Sequence, residues 1–295
     1  MEISIVIPTK DREKDLLECI KSISHQTFLP QEVLVIDDGE IKENIRKFVQ
    51  VLLSKKNVSF RYFKKNNPDS AESKNLGAEK AINEVIVFLD DDVVLEKDYI
   101  ANLIKVWEKN KKEKKLAGVS GIILNARKKS WLEQIFNRIF FLHSEKSWSI
   151  LPWGFQTWDY NLKKEEKADW LPCGICSLRK KIFQKYQFQS LQPGRTALED
   201  IEFCWRLKKD DYYFIITPLA RLIHKESITG REKIFITGLK EGLNRKILFK
   251  KLADKNLKNC FCFWAASMGW ILRQFLAGNF LKAFGMINGY LKKIC

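Results

Sequence analysis

The sequence has no glycine-rich phosphate loop. Neither GxGxxG nor GxxxxGK[ST] follows its first apolar run, which argues against a nicotinamide-type dinucleotide site and against a P-loop. A second cysteine pair at zinc-ribbon spacing is also missing, so the CxxC of Cys173 and Cys176 stands alone. The seven cysteines are odd in number and scattered, a pattern that suits a reducing compartment better than a disulfide scaffold. Cys260 and Cys262 sit in an apolar run and read as small packing residues. No signal peptide is expected, because the chain enters a strand-like run at once with Ile3, Val6 and Ile7. No basic–aromatic repeat, zinc-finger spacing or recognition-helix pattern is present, so the formal charge of +16 is not assigned to nucleic acid. An anionic membrane or a phosphorylated substrate remains as the partner of that charge. A hydrophobic fraction of 45% over 295 residues supports a sizeable core, in one large domain or one domain with an appendage.

What the sequence does have is a pair of buried strands that end in acids. Val85 to Leu89 is an unbroken apolar run rich in β-branched residues, as expected of a strand covered on both faces, and it stops on Asp90, Asp91 and Asp92. Burying an unpaired carboxylate is costly, so the three acids belong at the open carboxyl end of the strand, where α/β sheets bind ligands. A helix cap would explain one aspartate but not three. Three clustered negative charges call for a counter-charge, and a hard divalent cation, Mg²⁺ or Mn²⁺, carrying phosphate oxygens supplies it. Val33 to Ile36 repeats the pattern and ends in Asp37, Asp38 and Gly39, which places both acid sets on one rim.

Between these runs the pattern is strand–helix–strand. Strands are expected near 3–7, 33–36, 60–63, 85–89 and 119–124, with helices carrying Leu16, Leu17, Ile20 and Ile23, then residues 41–52, 71–84 and 98–109. Such repetition predicts parallel strands joined by right-handed crossovers. Residues 125–168 have no clean period and read as an irregular insertion over the rim, whose aromatics either bind an acceptor or cover the core. A unit beginning at Trp170 follows. Next come a loop with Pro193 and Gly194, a helix from about Leu198 through Leu207, a strand over 212–217 ended by Pro218, and Leu222-Ile223-His224.

Six short motifs in order then resemble the family 2 glycosyltransferases, inverting enzymes of the GT-A fold, over roughly residues 1–225. They are Ile5-Val6-Ile7-Pro8-Thr9 with Arg12, Val35-Ile36-Asp37-Asp38-Gly39, Lys74-Asn75-Leu76-Gly77, Phe88-Leu89-Asp90-Asp91-Asp92, Leu171-Pro172-Cys173-Gly174 and Leu198-Glu199-Asp200. The resemblance implies an α/β fold of the nucleotide-diphospho-sugar transferase type with a mostly parallel central sheet. It implies that Pro8, Thr9, Arg12, Asp38, Lys74, Asn75, Asp90 and Asp91 face the nucleotide sugar, with Asp38 at the base ring and Asp90 near the ribose. Lys74 stands where the family usually has arginine, keeping the charge but not the bidentate fork. Asp92 resembles the metal ligand, and His224 a further ligand found in part of the family or else a packed loop histidine. Asp200 resembles the catalytic base, and Trp170, Cys173, Gly174 and Glu199 the acceptor side.

The expected division is a transferase domain over 1–230, with 1–124 binding the donor and 125–230 the acceptor, and a tail over 231–295. The tail joins a basic segment containing Arg245, Lys246, Lys250, Lys251, Lys255 and Lys258 to a run from Cys260 to Leu281 whose sole charge is Arg273. It reads as interfacial helices docking on anionic headgroups, as a true span, or as helices packed on the domain or in a homodimer. The resulting expectation is a metal-dependent inverting transferase at the cytoplasmic face of a membrane, acting on a glycan or lipid-linked acceptor. A nucleotidyltransferase and a non-catalytic sugar- or membrane-binding module are the alternatives.

Overall fold

The computed structural model describes residues 1–192, 197–227 and 232–294. The loop with Pro193 and Gly194, and the boundary expected between residues 230 and 231, lie outside them. Among the described residues nine strands form one sheet: β1 Ile3–Thr9, β2 Glu32–Asp37, β3 Ser59–Lys64, β4 Val85–Leu89, β5 Val93–Leu95, β6 Leu116–Ile123, β7 Glu166–Ala168, β8 Ile175–Arg179 and β9 Tyr213–His224. The helices are α1 Glu13–Ser24, α2 Glu43–Ser54, α3 Ser70–Lys80, α4 Tyr99–Lys109, α5 Trp131–Ile139, α6 Glu199–Lys209, α7 Ile234–Leu252, α8 Leu257–Leu276 and α9 Phe280–Leu291.

The strand order is β3-β2-β1-β4-β8-β6-β9-β5, with β7 also paired to β9. The expected mostly parallel sheet is corrected to a mixed one. The pairs β1–β2, β1–β4, β2–β3 and β6–β9 are parallel, whereas β4–β8, β6–β8, β5–β9 and β7–β9 are antiparallel. The reason is β8: it inserts between β4 and β6 after the long excursion over 125–168, without a strand–helix crossover to force it parallel. Strand β9 also runs through Pro218 rather than stopping before it. Its register against β6 jumps between Ser120↔Ile216 and Ile122↔Arg221, so Pro218 sits in an irregularity where no ladder N–H is needed.

The sheet is covered on both faces, which is why β1, β2 and β4 are buried along almost their whole length and mostly apolar. On one face, α1 presents Leu16, Cys19, Ile20 and Ile23, and α4 presents Tyr99, Ile100, Leu103 and Trp107. The other face is packed by Ala71 and Ala78 of α3, by Ile201, Phe203, Cys204 and Leu207 of α6, and by Leu248 and Leu252 of α7. Thus α3 and α6 both rest on one side of the strand ends that carry the acids.

The tail forms a third layer. Its apolar run does not continue unbroken: α8 ends before Gly278, whose φ of +74° turns the chain into α9. Among the described residues no helix is long and apolar enough to cross a membrane. Helix α9 returns against α7 at backbone distance. A Cβ on Gly238 or Gly242 of α7 would strike the carbonyls of Lys282 or Met286, and one on Gly285 or Gly289 of α9 would strike those of Phe235 or Leu239. Between these helices the buried Glu241 ion-pairs with Lys282 at 3.0 Å and Arg245 at 3.6 Å and accepts the Trp270 indole N–H. Burial pushes the Glu241 carboxyl up, but the two cations outweigh it and hold the pKa below its ordinary value. Gly242→Val is expected to cost about 3 kcal/mol by overpacking this contact, lowering the Tm by roughly 5–10 °C in a calorimetric melt.

Candidate active site

The site lies at the carboxyl ends of β1, β2 and β4, where hydrogen bonds and short chain segments together arrange its residues in a ring. From β1, the Thr9 hydroxyl donates to Asp91 at 2.8 Å, and the Thr9 carbonyl accepts from the Asp38 N–H at 2.9 Å. Arg12 reaches Asp91 at 3.0 Å and Asp92 at 3.3 Å. Asp92 in turn contacts His224 Nε2 at 3.0 Å and accepts the Ser227 N–H at 2.9 Å. The triplet is therefore asymmetric: Asp91 and Asp92 are both buried, and Asp90 is the open member. Burial lifts the Asp91 carboxyl to about 6 against the pull of Arg12 and Thr9. Burial raises Asp92 as well, but there His224 and the Ser227 N–H prevail and bring it to about 2.

Asp90, Asp92 and His224 form a candidate metal centre. One ligand atom from each lies within 4.8 Å of the others, and the two carboxylates with one imidazole suit Mn²⁺ or Mg²⁺. The donors come together because β5, which follows the triplet directly, pairs antiparallel with the end of β9 and sets Val93 opposite His224. Gly174 completes the corner. Its carbonyl accepts the Asp90 N–H at 2.7 Å, and a Cβ there would overlap the Asp90 carboxylate.

Asp200 sits next to that corner. Its Oδ2 accepts the Cys173 N–H at 2.9 Å, and its Oδ1 pairs with Lys74 Nζ at 2.9 Å. Lys74 also pairs with Glu199 at 3.1 Å, and Glu199 accepts the Ser70 hydroxyl at 3.3 Å. Burial disfavours the Lys74 charge, yet Asp200 and Glu199 prevail and hold it well above its ordinary pKa. Leu198, which precedes the pair, has φ +72°, a left-handed turn that a bulky residue adopts only under constraint. That turn starts α6 so that Glu199 and Asp200 fall in its first turn, where the helix dipole favours negative charge. The Asp200 side chain is 24% exposed and Glu199 11%, so Asp200 is the carboxylate offered to the cleft.

Asp38 closes the ring. It accepts the Ser73 hydroxyl at 2.8 Å and the Asp69 N–H at 3.1 Å, and Lys65 Nζ lies 3.4 Å from its Oδ1. Oδ1 has no hydrogen-bond partner among the described residues. Burial raises the Asp38 carboxyl despite Ser73 and Lys65. Its neighbour Asp37 faces inward, accepting the N–H groups of Gly39 and Ile41 and the Tyr62 hydroxyl.

The structure thus brings together Thr9, Arg12, Asp38, Lys74, Asp90, Asp91, Asp92, Cys173, Gly174, Glu199, Asp200 and His224, with half-buried Pro8 beside Thr9. Two expected residues are placed otherwise. Asn75 spends both ends of its amide on the Phe188 backbone, at 2.9 Å each, so it anchors that segment instead of facing a diphosphate. Trp170 is 7% exposed, donates its indole N–H to the Thr157 carbonyl and packs against Trp148. With no free face it cannot stack on a sugar.

Residues that the sequence reading overlooked are Lys65, Ser73, Ser227 and Tyr160. Burial, then the carboxylates of Asp200, Glu226 and Asp90, raise the Tyr160 phenol, which places that ring near the acid cluster. Its position in the unpatterned 125–168 stretch gave no period to find it by.

The geometry and the family relationships agree. The model of the glycosyl transferase family 2 matches residues 4–186, and the chain belongs to that family. A glycosyltransferase of Rickettsia conorii without assigned activity is 38% identical over 109 residues, covering 37% of this chain and 18% of that protein. The GalNAc(5)-diNAcBac-PP-undecaprenol beta-1,3-glucosyltransferase of Campylobacter jejuni is 32% identical over 106 residues, covering 35% of this chain and 34% of its own length. Each match therefore spans well under two thirds of the relative. The fold is GT-A-like: the mannosyltransferase of Pyrobaculum calidifontis, solved with GDP-Man and Mn²⁺, superposes with a TM-score of 0.57 at 12% identity, covering 98% of this chain and 79% of that one.

Proposed function

We infer that this protein is a metal-dependent, inverting glycosyltransferase that moves a sugar from a nucleotide-diphosphate donor to a hydroxyl of a glycan or lipid-linked acceptor. The observation that carries the reading is the placement of Asp200 beside the metal-ligand corner, joined to Asp90 through Cys173 and Gly174. The Mn²⁺ in the Pyrobaculum mannosyltransferase and the lipid-linked substrate in the name of the Campylobacter enzyme support it.

In this reading Asp38, whose Oδ1 faces Lys65 at 3.4 Å, receives the base ring, and Thr9 and Arg12 set the floor by holding Asp91. Asp90, Asp92 and His224 would hold Mg²⁺ or Mn²⁺, and the ion would supply positive charge for the departing diphosphate. Asp200 takes the proton of the acceptor hydroxyl as that oxygen bonds to the anomeric carbon and the bond from that carbon to the diphosphate oxygen breaks. The electron pair leaves with the nucleotide diphosphate, and a single displacement inverts the centre. Lys74 holds the Asp200 carboxylate in place at 2.9 Å, so its role is at the base more than at the nucleotide. Residues 1–124 serve the donor and 125–230 the acceptor.

A panel of nucleotide sugars tests the reading. With Mn²⁺ present, one donor is expected to be hydrolysed or transferred to a membrane extract, with the activity abolished by EDTA and restored by added metal. Formation of a nucleoside triphosphate and a sugar 1-phosphate when pyrophosphate is added to the nucleotide sugar would instead assign nucleotidyl transfer. Binding of a donor with no turnover would assign the non-catalytic module.

A further inference from the structure

Helix α5 is amphipathic in the reverse sense. Ser130 caps it, and Glu133 and Asn137 face the protein, where both meet Arg273 of α8. Of its apolar side chains Trp131, Leu132, Ile135 and Ile139 are exposed, Trp131 by 68%, while Phe136 packs on the core beneath. Water-facing apolar stripes of this kind mark interaction surfaces.

The neighbouring helix repeats the arrangement. Leu257, Phe261, Trp264, Met268, Leu272 and Leu276 of α8 recur every three or four residues on one face, and all are exposed, Leu257 by 91%. The opposite face of α8, with Phe263 and Ala266, is buried in the third core. Helix α9 adds exposed Phe280, Leu281 and Phe284. Ring contacts join the three helices: Phe141, just after α5, lies 5.8 Å from Phe261, and Phe275 of α8 lies 5.5 Å from Phe284.

Along α8 and α9 the charge has one sign. From Lys255 to the last residue the sequence has no aspartate or glutamate, while Lys255, Lys258, Arg273, Lys282, Lys292 and Lys293 are basic. Lys258 adjoins Leu257, Lys292 and Lys293 follow exposed Leu291, and exposed Arg138 adjoins Ile139. Apolar side chains bordered by cations complement an anionic lipid surface, with apolar groups entering the acyl boundary and ammonium groups meeting phosphate.

We propose that α5, α8 and α9 form a monotopic docking face for an anionic bilayer, on which the protein lies without spanning it. The inference goes beyond the transferase reading and does not rest on it, since the face contains none of the site residues. It also gives the unpatterned 125–168 stretch a part in binding the membrane, which the basic tail does not supply alone.

Co-sedimentation of the full chain with vesicles, without donor or acceptor, tests it. Vesicles of phosphatidylcholine mixed with phosphatidylglycerol are expected to pellet the protein, and pure phosphatidylcholine or raised salt to pellet much less. Ile135→Glu and Phe261→Glu are each expected to lower partitioning roughly tenfold, with an unchanged thermal melt because both side chains already face water. Lys258→Glu with Lys292→Glu should remove the preference for anionic lipid. Wild-type protein that stays in the supernatant with both vesicles, or glutamate variants that pellet as it does, would overturn the proposal. So would a stable dimer in sedimentation equilibrium that the glutamate variants dissociate, which would assign the face to a second copy. Because no sugar nucleotide enters the assay, failure here leaves the transferase reading standing, and failure of that reading leaves this result intact.

Discussion

Asp200→Asn is expected to lower sugar transfer by about 10²–10⁴-fold while leaving donor binding unchanged. The asparagine keeps the shape of the side chain and an oxygen for the Cys173 N–H, so the corner that carries Asp90 is preserved. Lys74 retains Glu199 at 3.1 Å, and the cation is not left alone in the interior. What is lost is the one carboxylate of the pair that reaches the cleft. Glu199 does not replace it, because its side chain is only 11% exposed and the Ser70 hydroxyl and Lys74 already engage it. The measurement is kcat for transfer beside a calorimetric titration of the nucleotide diphosphate with Mn²⁺. Transfer retained at the wild-type rate would remove Asp200 from the role of base.

Asp92→Ala is expected to weaken the metal by roughly 100-fold or more, since even residues behind a metal's ligands cost about 10–100-fold when changed. Nucleotide-diphosphate binding that depends on Mn²⁺ should fall with it, and activity should follow only at high metal concentration. His224 loses its closest carboxylate, whereas Arg12 keeps Asp91 and so keeps the Thr9 floor in place. Titration of nucleotide diphosphate with and without Mn²⁺ separates the two effects. An unchanged metal requirement would dismiss Asp92 as a ligand.

Much of this site was readable because its physics is local. An apolar run such as Val85–Leu89 that stops on carboxylates has few ways to fold, and the same holds for Val33–Ile36 ahead of Asp37 and Asp38. Which of the acids faces a ligand was not readable in the same way. Asp37 and Asp38 differ by one residue, yet one turns into the Gly39 and Ile41 backbone and the other toward Ser73 and Lys65. The sheet's mixed direction depends on where β8 inserts, a long-range choice with no local period. Trp170 has the composition of a sugar platform and the surroundings of a core residue, and only the packing of Trp148 and the Thr157 carbonyl separates the two. Pro218 ends most strands, but the irregular register of β9 absorbs it. Helix α5 lies in the 125–168 stretch, which has no clean period, and its outward apolar stripe follows from Glu133 and Asn137 turning inward to Arg273.

The glycine-lined contact between α7 and α9 sets an order of events as the chain leaves the ribosome. Helix α7 emerges with Gly238, Gly242 and the Glu241 carboxylate uncovered, because the backbone that seats against them, from Lys282 to Met286, is made only after α8. For that interval the exposed apolar residues of α7 and α8 have no intramolecular cover, the condition under which nascent chains aggregate or recruit chaperones. In synthesis order, then, the glycines of α7 are covered only once residues 282–286 of α9 have emerged.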